Sequence, residues 1–456
     1  SIWSGTSVTQ GDFVGLDDIF TEKPAVVKGM VDLWSSWITR FDIDGYRIDT
    51  AKHVNPEFWK AFLPKIIATA KSAGKENFPI FGEVADSDIP FLASFVTEQN
   101  FPGVLDFPFQ AKVSRFAKAG GGASDVADLF NTDDFYTSPT TSAYSLATFL
   151  GNHDMGRIGH FIEILSGSDG PQIMMERAKL ANALLFTLRG GPVLYYGDEK
   201  GMTGSGGDQL ARQDMFSTQV EDWKTEVRIG SAQIGNASAF DVKNPLEANV
   251  AELQALYKKY PALKSGAQQV RFGLGSVFAV SRYADNQEFL VAFNSNDEAQ
   301  EATIPVSTKD SGWSAISGSA KVIINSSSLN LKLAPRSWVV LKADNAFEPS
   351  SPLSITLNAP KPDYRTPGWS AITAKIPGDD FVQVTFAARQ SGKAWKVLGT
   401  SDHRTTKDDY IAAGLHRVFI HNRLYKSGTT FDLVAIVTNT KGEKMVSKVI
   451  KYTVKY

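Results

Sequence analysis

Two early segments of the chain carry apolar residues at the i, i+3, i+4 spacing of an amphipathic helix. The spacing predicts helices over 24–38 and 57–73, with Trp34 and Trp37 in the core. Short apolar runs lie between and after these segments, and they are typical of strands buried on both faces. Because strands alternate with helices, this half of the chain is predicted to form a parallel sheet, either open or closed into a barrel.

After about residue 265 the apolar and polar residues alternate with period two, and Asn, Asp and Gly interrupt the alternation. This pattern predicts an antiparallel β domain at 263–344, followed by a Pro- and Ser-rich linker at 345–354. Further short strands predict an immunoglobulin-like β-sandwich over 355–456. Three tryptophans of the two β domains are expected in sandwich cores rather than on sugar-stacking surfaces: Trp313, Trp369 and Trp395.

Length and composition limit the number of domains, the classes of partner and the kinds of site that this chain can have. A chain of 456 residues exceeds what one hydrophobic core usually supports, which agrees with two or three domains. With 47 basic and 49 acidic residues the net charge is −2, so we expect no nucleic-acid or membrane partner. The absence of cysteine excludes disulfides and thiolate metal sites. The sequence opens on Ser rather than Met, so we expect an internal start with no signal peptide visible.

Three apolar runs of the first half end in an acidic residue, at Asp49, Glu83 and Asp154. The carboxyl ends of parallel strands meet at one face, so these side chains are expected to surround a common mouth. Arg47 lies two residues before Asp49, on the same side of its strand, and can keep that carboxylate charged. Each acid alone could equally be a helix N-cap or a turn residue, but their joint placement favours catalysis.

The segments that carry these acids resemble conserved segments of the α-amylase superfamily, glycoside hydrolase family 13. Three segments follow the family's order and approximate spacing: "DGYRIDTAKH" (44–53), "FGEV" (81–84) and "FLGNHD" (149–154). Two more are similar to the segment before the fourth strand and to the eighth strand with its loop: "GDFVGLDDIFTEKPAV" (11–26), and "GGPVLYYGDEKGMTG" with "ARQDMF" (211–216). The resemblance implies an α/β fold: about strands four to eight of a (β/α)8 TIM barrel in residues 1–262, then two antiparallel β-sandwich domains, the first of them domain C.

The resemblance also implies a retaining mechanism on α-glucans. Asp49 matches the nucleophile, Glu83 the general acid/base, and Asp154 the carboxylate that steadies the oxocarbenium-like transition state. Retention needs two carboxyl groups about 5–5.5 Å apart, one ionised to attack the anomeric carbon and one protonated to release the leaving oxygen. Glu83 follows Phe81 and Gly82, a less polar setting that can keep its proton near neutrality.

Other residues of the same segments match positions that bind sugar in the family. The resemblance implies that Asn152 and His153 hydrogen-bond hydroxyls of the glucose in subsite −1. It implies that Lys52 and His53 line the acceptor side, while Arg47 holds the nucleophile charged. Either histidine taken alone could be an ordinary loop residue. Three residues after the eighth strand could touch sugar or belong to a solvated loop: Asp208, Arg212 and Asp214.

The sequence departs from the family at its N-terminal side, where the first conserved segment and strands one to three are not found. Because an open sheet edge invites aggregation, we expect an upstream segment or separate chain to complete the barrel. Of the family's usual calcium ligands only the His53 backbone carbonyl would remain for a structural calcium ion. No cofactor is expected for the chemistry.

These observations predict a secreted glycoside hydrolase that cleaves α-1,4-glucosidic bonds in starch and related α-glucans. The catalytic residues leave open a transglycosylase and an α-1,6 debranching enzyme on the same scaffold. A non-catalytic carbohydrate-binding protein is disfavoured by the complete set of acids.

Overall fold

The computed structural model describes residues 8–12, 15–349, 353–362, 366–406 and 412–455. The predicted segment at 11–26 and the predicted linker at 345–354 therefore lie partly outside the described residues, at 13–14 and 350–352. The chain divides into two compact units: Ser1–Pro108 with Phe135–Ala147, and Phe109–Asp134 with Thr148–Tyr456.

Helices and strands alternate in the first half, and strands dominate the second. The helices of the described residues are α1 (Pro24–Phe41), α2 (Pro56–Ser72), α3 (Ile89–Thr97), α4 (Phe107–Ala119), α5 (Ala123–Phe130), α6 (Ile158–Ser166), α7 (Pro171–Thr187), α8 (Glu221–Lys224), α9 (Pro245–Lys259) and α10 (Pro261–Ser265). The strands are β1 (Tyr46–Ile48), β2 (Ile80–Gly82), β3 (Gly103–Val104), β4 (Ala147–Thr148), β5 (Gly191–Pro192), β6 (Ala267–Leu274), β7 (Val277–Ala284), β8 (Gln287–Asn294), β9 (Gln300–Pro305), β10 (Trp313–Gly318), β11 (Lys321–Ile324), β12 (Ser328–Leu333), β13 (Ser337–Ala343), β14 (Thr356–Leu357), β15 (Lys361–Pro362), β16 (Trp369–Lys375), β17 (Val382–Arg389), β18 (Lys396–Ser401), β19 (Leu415–His421), β20 (Thr430–Asn439), β21 (Lys444–Val446) and β22 (Ile450–Thr453).

The first unit contains a parallel sheet in the order β1-β2-β3. Arg47 lies opposite Phe81, and Gly82 lies opposite both Ile48 and Val104. Helices α2 and α3 connect these strands, which is the βα repeat that the sequence pattern predicts. The carboxyl ends of β1 and β2 therefore lie at one edge of this sheet.

Helix α1 covers the predicted range but leaves its tryptophans in contact with solvent. Trp34 is 38% exposed and Trp37 is 41% exposed, whereas Ile38 is buried. The two indoles stack with their ring centroids 6.4 Å apart, and Trp34 also meets Tyr46 edge-on. The prediction that both lie in the core is wrong for the described residues. Helical spacing identifies an apolar stripe, but it does not say what covers the stripe.

The second unit contains two pairs of β-sheets. Strands β6–β13 form the sheets β10-β13-β8-β7-β6 and β11-β12-β9, whose shared core includes Leu290 and Ile304. Strands β14–β22 form two further sheets around a core that includes Phe386. These strands fall inside the predicted ranges 263–344 and 355–456, and the domain boundaries themselves stay predictions.

The three tryptophans predicted in the cores of the β domains differ in their burial. Trp369 is buried, and Trp313 packs against the core that includes Leu290, as predicted. Trp395 is 38% exposed, so its predicted place in a sandwich core is wrong. It follows Ala394 in the loop between β17 and β18, where the alternation that marks core positions is interrupted.

A buried group of charges connects strand β19 to the segment after helix α5. Nε of Arg417 donates to Asp134 at 3.0 Å, and Nε2 of His403 lies 3.1 Å from the other oxygen of the same carboxylate. Nδ1 of His403 is 3.1 Å from Asp402. Burial opposes the charged imidazole, but the two carboxylates outweigh it and hold the pKa of His403 well above its usual range.

We expect His403→Gln to lower stability more at pH 6 than at pH 9. A raised pKa means that the ion pair stabilises the fold fully below the unfolded-state pKa, about 6.5, and less as pH rises through the folded-state pKa. The loss at pH 6 is expected to be about 1–3 kcal/mol, because Arg417 still neutralises Asp134. Calorimetric transition temperatures at both pH values test this, and a pH-independent difference would contradict it.

Candidate active site

Strands β1 and β2 end side by side and bring an arginine and two acids together. The Glu83 N–H donates to the Ile48 carbonyl at 2.8 Å, which extends the parallel ladder one residue past β2. Residue 82 is glycine at a point of close packing, because a Cβ there would lie 2.7 Å from the Phe101 ring. The close packing of Gly82 against Phe101 therefore fixes the backbone position from which the Glu83 side chain extends.

Arg47 contacts both carboxylates of this half of the site. One terminal nitrogen is ion-paired with Asp49, and Nη2 lies 3.0 Å from Oε1 of Glu83. The acids differ in environment, since the Asp49 side chain is 64% exposed and the Glu83 side chain is 12% exposed. One guanidinium thus joins an open carboxylate to an enclosed one.

The pKa of Glu83 is raised above its ordinary value, mainly because burial disfavours the charged form. Asp49 raises this pKa further through a hydrogen bond and its own negative charge. The Thr50 N–H and the charge of Arg47 act in the opposite direction without cancelling the shift. Glu83 therefore retains its proton to higher pH than an ordinary glutamate.

Thr50 follows Asp49 in a strained backbone conformation. Its φ of 47° and ψ of 32° lie in the left-handed region, which is costly for a β-branched residue. In this conformation its N–H donates to Oε2 of Glu83 at 3.2 Å. The sequence does not predict a role for Thr50, because residue type alone does not signal a threonine with positive φ.

Lys52 and His53 lie in a turn of 3-10 helix, Ala51–His53. Nζ of Lys52 lies 2.7 Å from Oδ2 of Asp86, and it donates to the Ala85 carbonyl at 3.2 Å. Nδ1 of His53 lies 3.0 Å from the Val8 carbonyl oxygen. These contacts fix both side chains near the end of β1, and their contact with an acceptor sugar stays a prediction.

Asn152, His153 and Asp154 form a turn in the second unit. Oδ1 of Asn152 accepts hydrogen bonds from the backbone N–H groups of Asp154 and Met155, at 3.0 and 2.7 Å. Nε2 of His153 lies 3.3 Å from Oδ2 of Asp154, whose side chain is 47% exposed. The carbonyl of the Asn152 amide therefore shapes the turn, and the predicted contacts of Asn152 and His153 with sugar stay predictions.

Arg212 is the basic partner of Asp154. Its Nη2 lies 3.3 Å from Oδ1 of Asp154 and 2.6 Å from Asp208. The Asp208 N–H donates to the Asp154 carbonyl at 3.0 Å. From the sequence, both Arg212 and Asp208 could either contact sugar or belong to a solvated loop. The structure assigns both to the surroundings of the Asp154 carboxylate.

A buried polar network surrounds Arg157, three residues after Asp154. Its guanidinium donates to Asp198 at 2.9 Å and to Gln213 at 2.8 Å, and it lies 4.3 Å over the Tyr195 ring. Burial raises the pKa of Asp198 to about 6, and the charge of Arg157 opposes that rise. The sequence does not predict this network, because no local pattern marks Arg157 as buried.

The predicted site residues therefore assemble in two groups, one in each unit. Arg47, Asp49 and Glu83 contact one another in the first unit. The turn 152–154 orders its own residues in the second. The convergence of Asp154 with the other two acids stays a prediction.

The described residues do not supply a complete metal site at His53. None of their acidic or histidine side chains form a group of three or more that could hold a metal ion. One backbone carbonyl cannot provide the six to eight oxygen ligands that Ca²⁺ takes. The calcium ion stays a prediction. Among the residues that the structure describes, no helix is long and apolar enough to cross a membrane.

Comparison with known proteins identifies similar sequences. A family model described as "alpha amylase, catalytic domain" matches residues 1–235. The chain is 37% identical over 414 residues to an alpha-amylase of Streptomyces lividans, and the match covers 89% of this chain and 45% of that protein. The chain thus spans less than half the length of that relative.

Several solved structures have folds similar to that of this chain. An alpha-amylase from Geobacillus thermoleovorans complexed with acarbose has a TM-score of 0.61 at 24% identity, covering 75% of this chain and 68% of that one. CldA, a cyclomaltodextrin glucanotransferase with three domains, has a TM-score of 0.59 at 25% identity, covering 74% and 63%. These likenesses support the coarse fold prediction, a TIM barrel accompanied by β-sheet domains.

Proposed function

The chain belongs to the α-amylase family, and from that premise we propose that it is a retaining glycoside hydrolase of α-1,4-glucans such as starch and maltooligosaccharides. The observation that carries this proposal is the Arg47 guanidinium shared by Asp49 and Glu83. One of these acids is open and ion-paired, and the other is enclosed with a raised pKa. Double displacement requires two carboxyl groups with different roles, a nucleophile and a proton donor, and the unequal environments of Asp49 and Glu83 suit these roles.

In the first step, Asp49 attacks the anomeric carbon while protonated Glu83 gives its proton to the departing glycosidic oxygen. The bond from Asp49 to the sugar then forms as the bond to the leaving group breaks. In the second step, Glu83 takes a proton from water, and the oxygen of that water displaces Asp49. Arg47 serves both steps, since it is ion-paired with Asp49 and lies 3.0 Å from Glu83, and so it orients both carboxyl groups.

Asp154 supplies negative charge near the oxocarbenium-like transition state. We propose that Arg212 and His153 orient its carboxylate, on the strength of the 3.3 Å separations described above. Asn152 and His153 would hydrogen-bond the glucose in subsite −1, and Lys52 and His53 would line the acceptor side. The family pattern supports these roles.

We further propose that β1–β5 are later strands of the barrel, and that a segment or chain outside this sequence supplies the rest. The 45% coverage of the Streptomyces lividans relative supports this proposal. A polymeric substrate that cannot cross a membrane supports action outside the cell.

The anomeric configuration of the first product tests double displacement. We expect hydrolysis of maltooligosaccharides to release the α-anomer first, because two inversions at one carbon restore its configuration. Proton NMR spectra recorded before mutarotation identify this anomer. An initial β-anomer would overturn the mechanism. Chromatography of the same digests separates the alternatives: products longer than the substrate indicate transglycosylation, and cleavage confined to the α-1,6 bonds of pullulan indicates debranching.

A further inference from the structure

Trp395 is an exposed indole on the last β domain, in the loop immediately before the edge strand β18. It is 38% exposed, whereas Trp369 of the same domain is 8% exposed. The guanidinium of Arg389 lies 4.5 Å from the centroid of its ring. No other ring or cation among the described residues stacks on Trp395. One face of the indole is thus supported by protein, and the ring reaches solvent.

Arg389 is held in place by a row of charges that crosses three strands. On β17 it lies opposite Asp432 of β20, and Asp432 lies opposite Lys451 of β22. Nε of Arg389 donates to Oδ2 of Asp432 at 3.2 Å, and Nζ of Lys451 is 3.7 Å from Oδ1. The row therefore puts donors and a shared acceptor beside the ring.

Hydroxyl groups continue the same face of the sheet. Thr385 lies four residues before Arg389 on β17, so the two side chains point to the same side. Its hydroxyl lies 2.9 Å from that of Thr400 on β18. Over about 13 Å of strand, this face offers an aromatic ring, charged hydrogen-bonding groups and two hydroxyls.

We propose that Trp395, Arg389, Asp432 and Lys451 form a binding platform for α-glucan chains, separate from the residues assigned to catalysis. This inference rests on the proposed function, which supplies the class of ligand. The negative face of an indole attracts the C–H groups of a pyranose ring. The neighbouring carboxylate, guanidinium and ammonium groups can hydrogen-bond the equatorial hydroxyls at the edge of the sugar.

The composition of the platform favours a neutral polyol over other polymers. Two cations surround one shared carboxylate, so the row carries a single net positive charge and lacks the extended basic stripe that a nucleic acid requires. A protein partner would need a wider apolar area around the ring. A sugar chain needs only the ring and the polar groups beside it.

The test is binding of the full chain to insoluble starch, measured by depletion in the Glu83→Gln background so that the polymer is not degraded. We expect Trp395→Ala to weaken the apparent binding constant by about tenfold or more, and Trp395→Phe to weaken it less. The matched control is Leu424→Ala, which truncates another exposed apolar residue of the same domain and is expected to bind like the parent. Cellulose, a β-1,4-glucan, serves as the control polymer.

Equal starch binding by the parent and Trp395→Ala would overturn the platform. A loss that is as large on cellulose would overturn its assignment to α-glucans, and so would Trp395-dependent binding to nucleic acid or protein in place of starch. Circular dichroism checks that each variant is folded, and Trp395→Phe keeps the test decisive where the alanine variant fails to fold. Because binding is read without turnover, its failure is distinguishable from failure of the proposed hydrolysis.

Discussion

Glu83→Gln is expected to slow the hydrolysis of starch by about 10³-fold or more, since positioned acid–base groups contribute about 10²–10⁴-fold each. Glutamine preserves the shape of the side chain but cannot donate a proton to the glycosidic oxygen. Initial rates of reducing-sugar release measure the effect. The control is Glu57→Gln at the exposed start of α2, which is expected to leave the rate unchanged.

A substrate whose leaving group needs no proton separates acid catalysis from a general loss of structure. With an α-maltosyl fluoride, we expect Glu83→Gln to slow the first step by a much smaller factor than it does with starch. In the parent enzyme the raised pKa of Glu83 predicts an alkaline limb of kcat/KM above the range of an ordinary glutamate. Retained starch hydrolysis, or an equal loss on both substrates, would remove Glu83 from its assigned role.

The site residues of the first unit that could be predicted from the sequence are those whose spacing along the chain determines that they come together. Arg47 and Asp49 are separated by one residue, Ile48, and Glu83 directly follows the next strand, so period two and parallel order suffice to bring them together. Their unequal burial, which sets their different chemistry, followed only partly from the apolar residues before Glu83. The strained φ of Thr50 had no counterpart in the sequence.

The failures of prediction concern partners that are distant in the chain. Arg157 meets Gln213 across 56 residues, and Arg212 meets Asp154 across 58 residues. Loop conformation brings these groups together, and local periodicity does not encode it. The same reason explains Trp34 and Trp395, since a residue pattern identifies an apolar face without identifying what lies against it.

Arg157→Met is expected to be the most destabilising of the changes considered, with a loss of about 3–5 kcal/mol at pH 8. The Arg157 guanidinium is 0% exposed, and its removal leaves the buried Asp198 carboxylate without its cation. Scanning calorimetry is expected to show a lower first transition temperature. The control is Lys332→Met, which breaks an ion pair with Glu301 at the surface and is expected to cost less than about 1 kcal/mol.

The pH dependence of this loss identifies its cause. Burial already raises the pKa of Asp198 to about 6 while Arg157 lowers it, so removing Arg157 raises that pKa further. At pH 5 the Asp198 carboxyl of the variant is protonated and can remain buried without a counter-charge, whereas at pH 8 folding must overcome the cost of ionisation. The stability difference between parent and Arg157→Met is therefore expected to shrink from pH 8 to pH 5. Adding Asp198→Asn to the variant is expected to recover part of the lost stability at pH 8. If the loss were the same at both pH values, or matched that of Lys332→Met, the network would owe its stability to packing rather than to the buried charge pair.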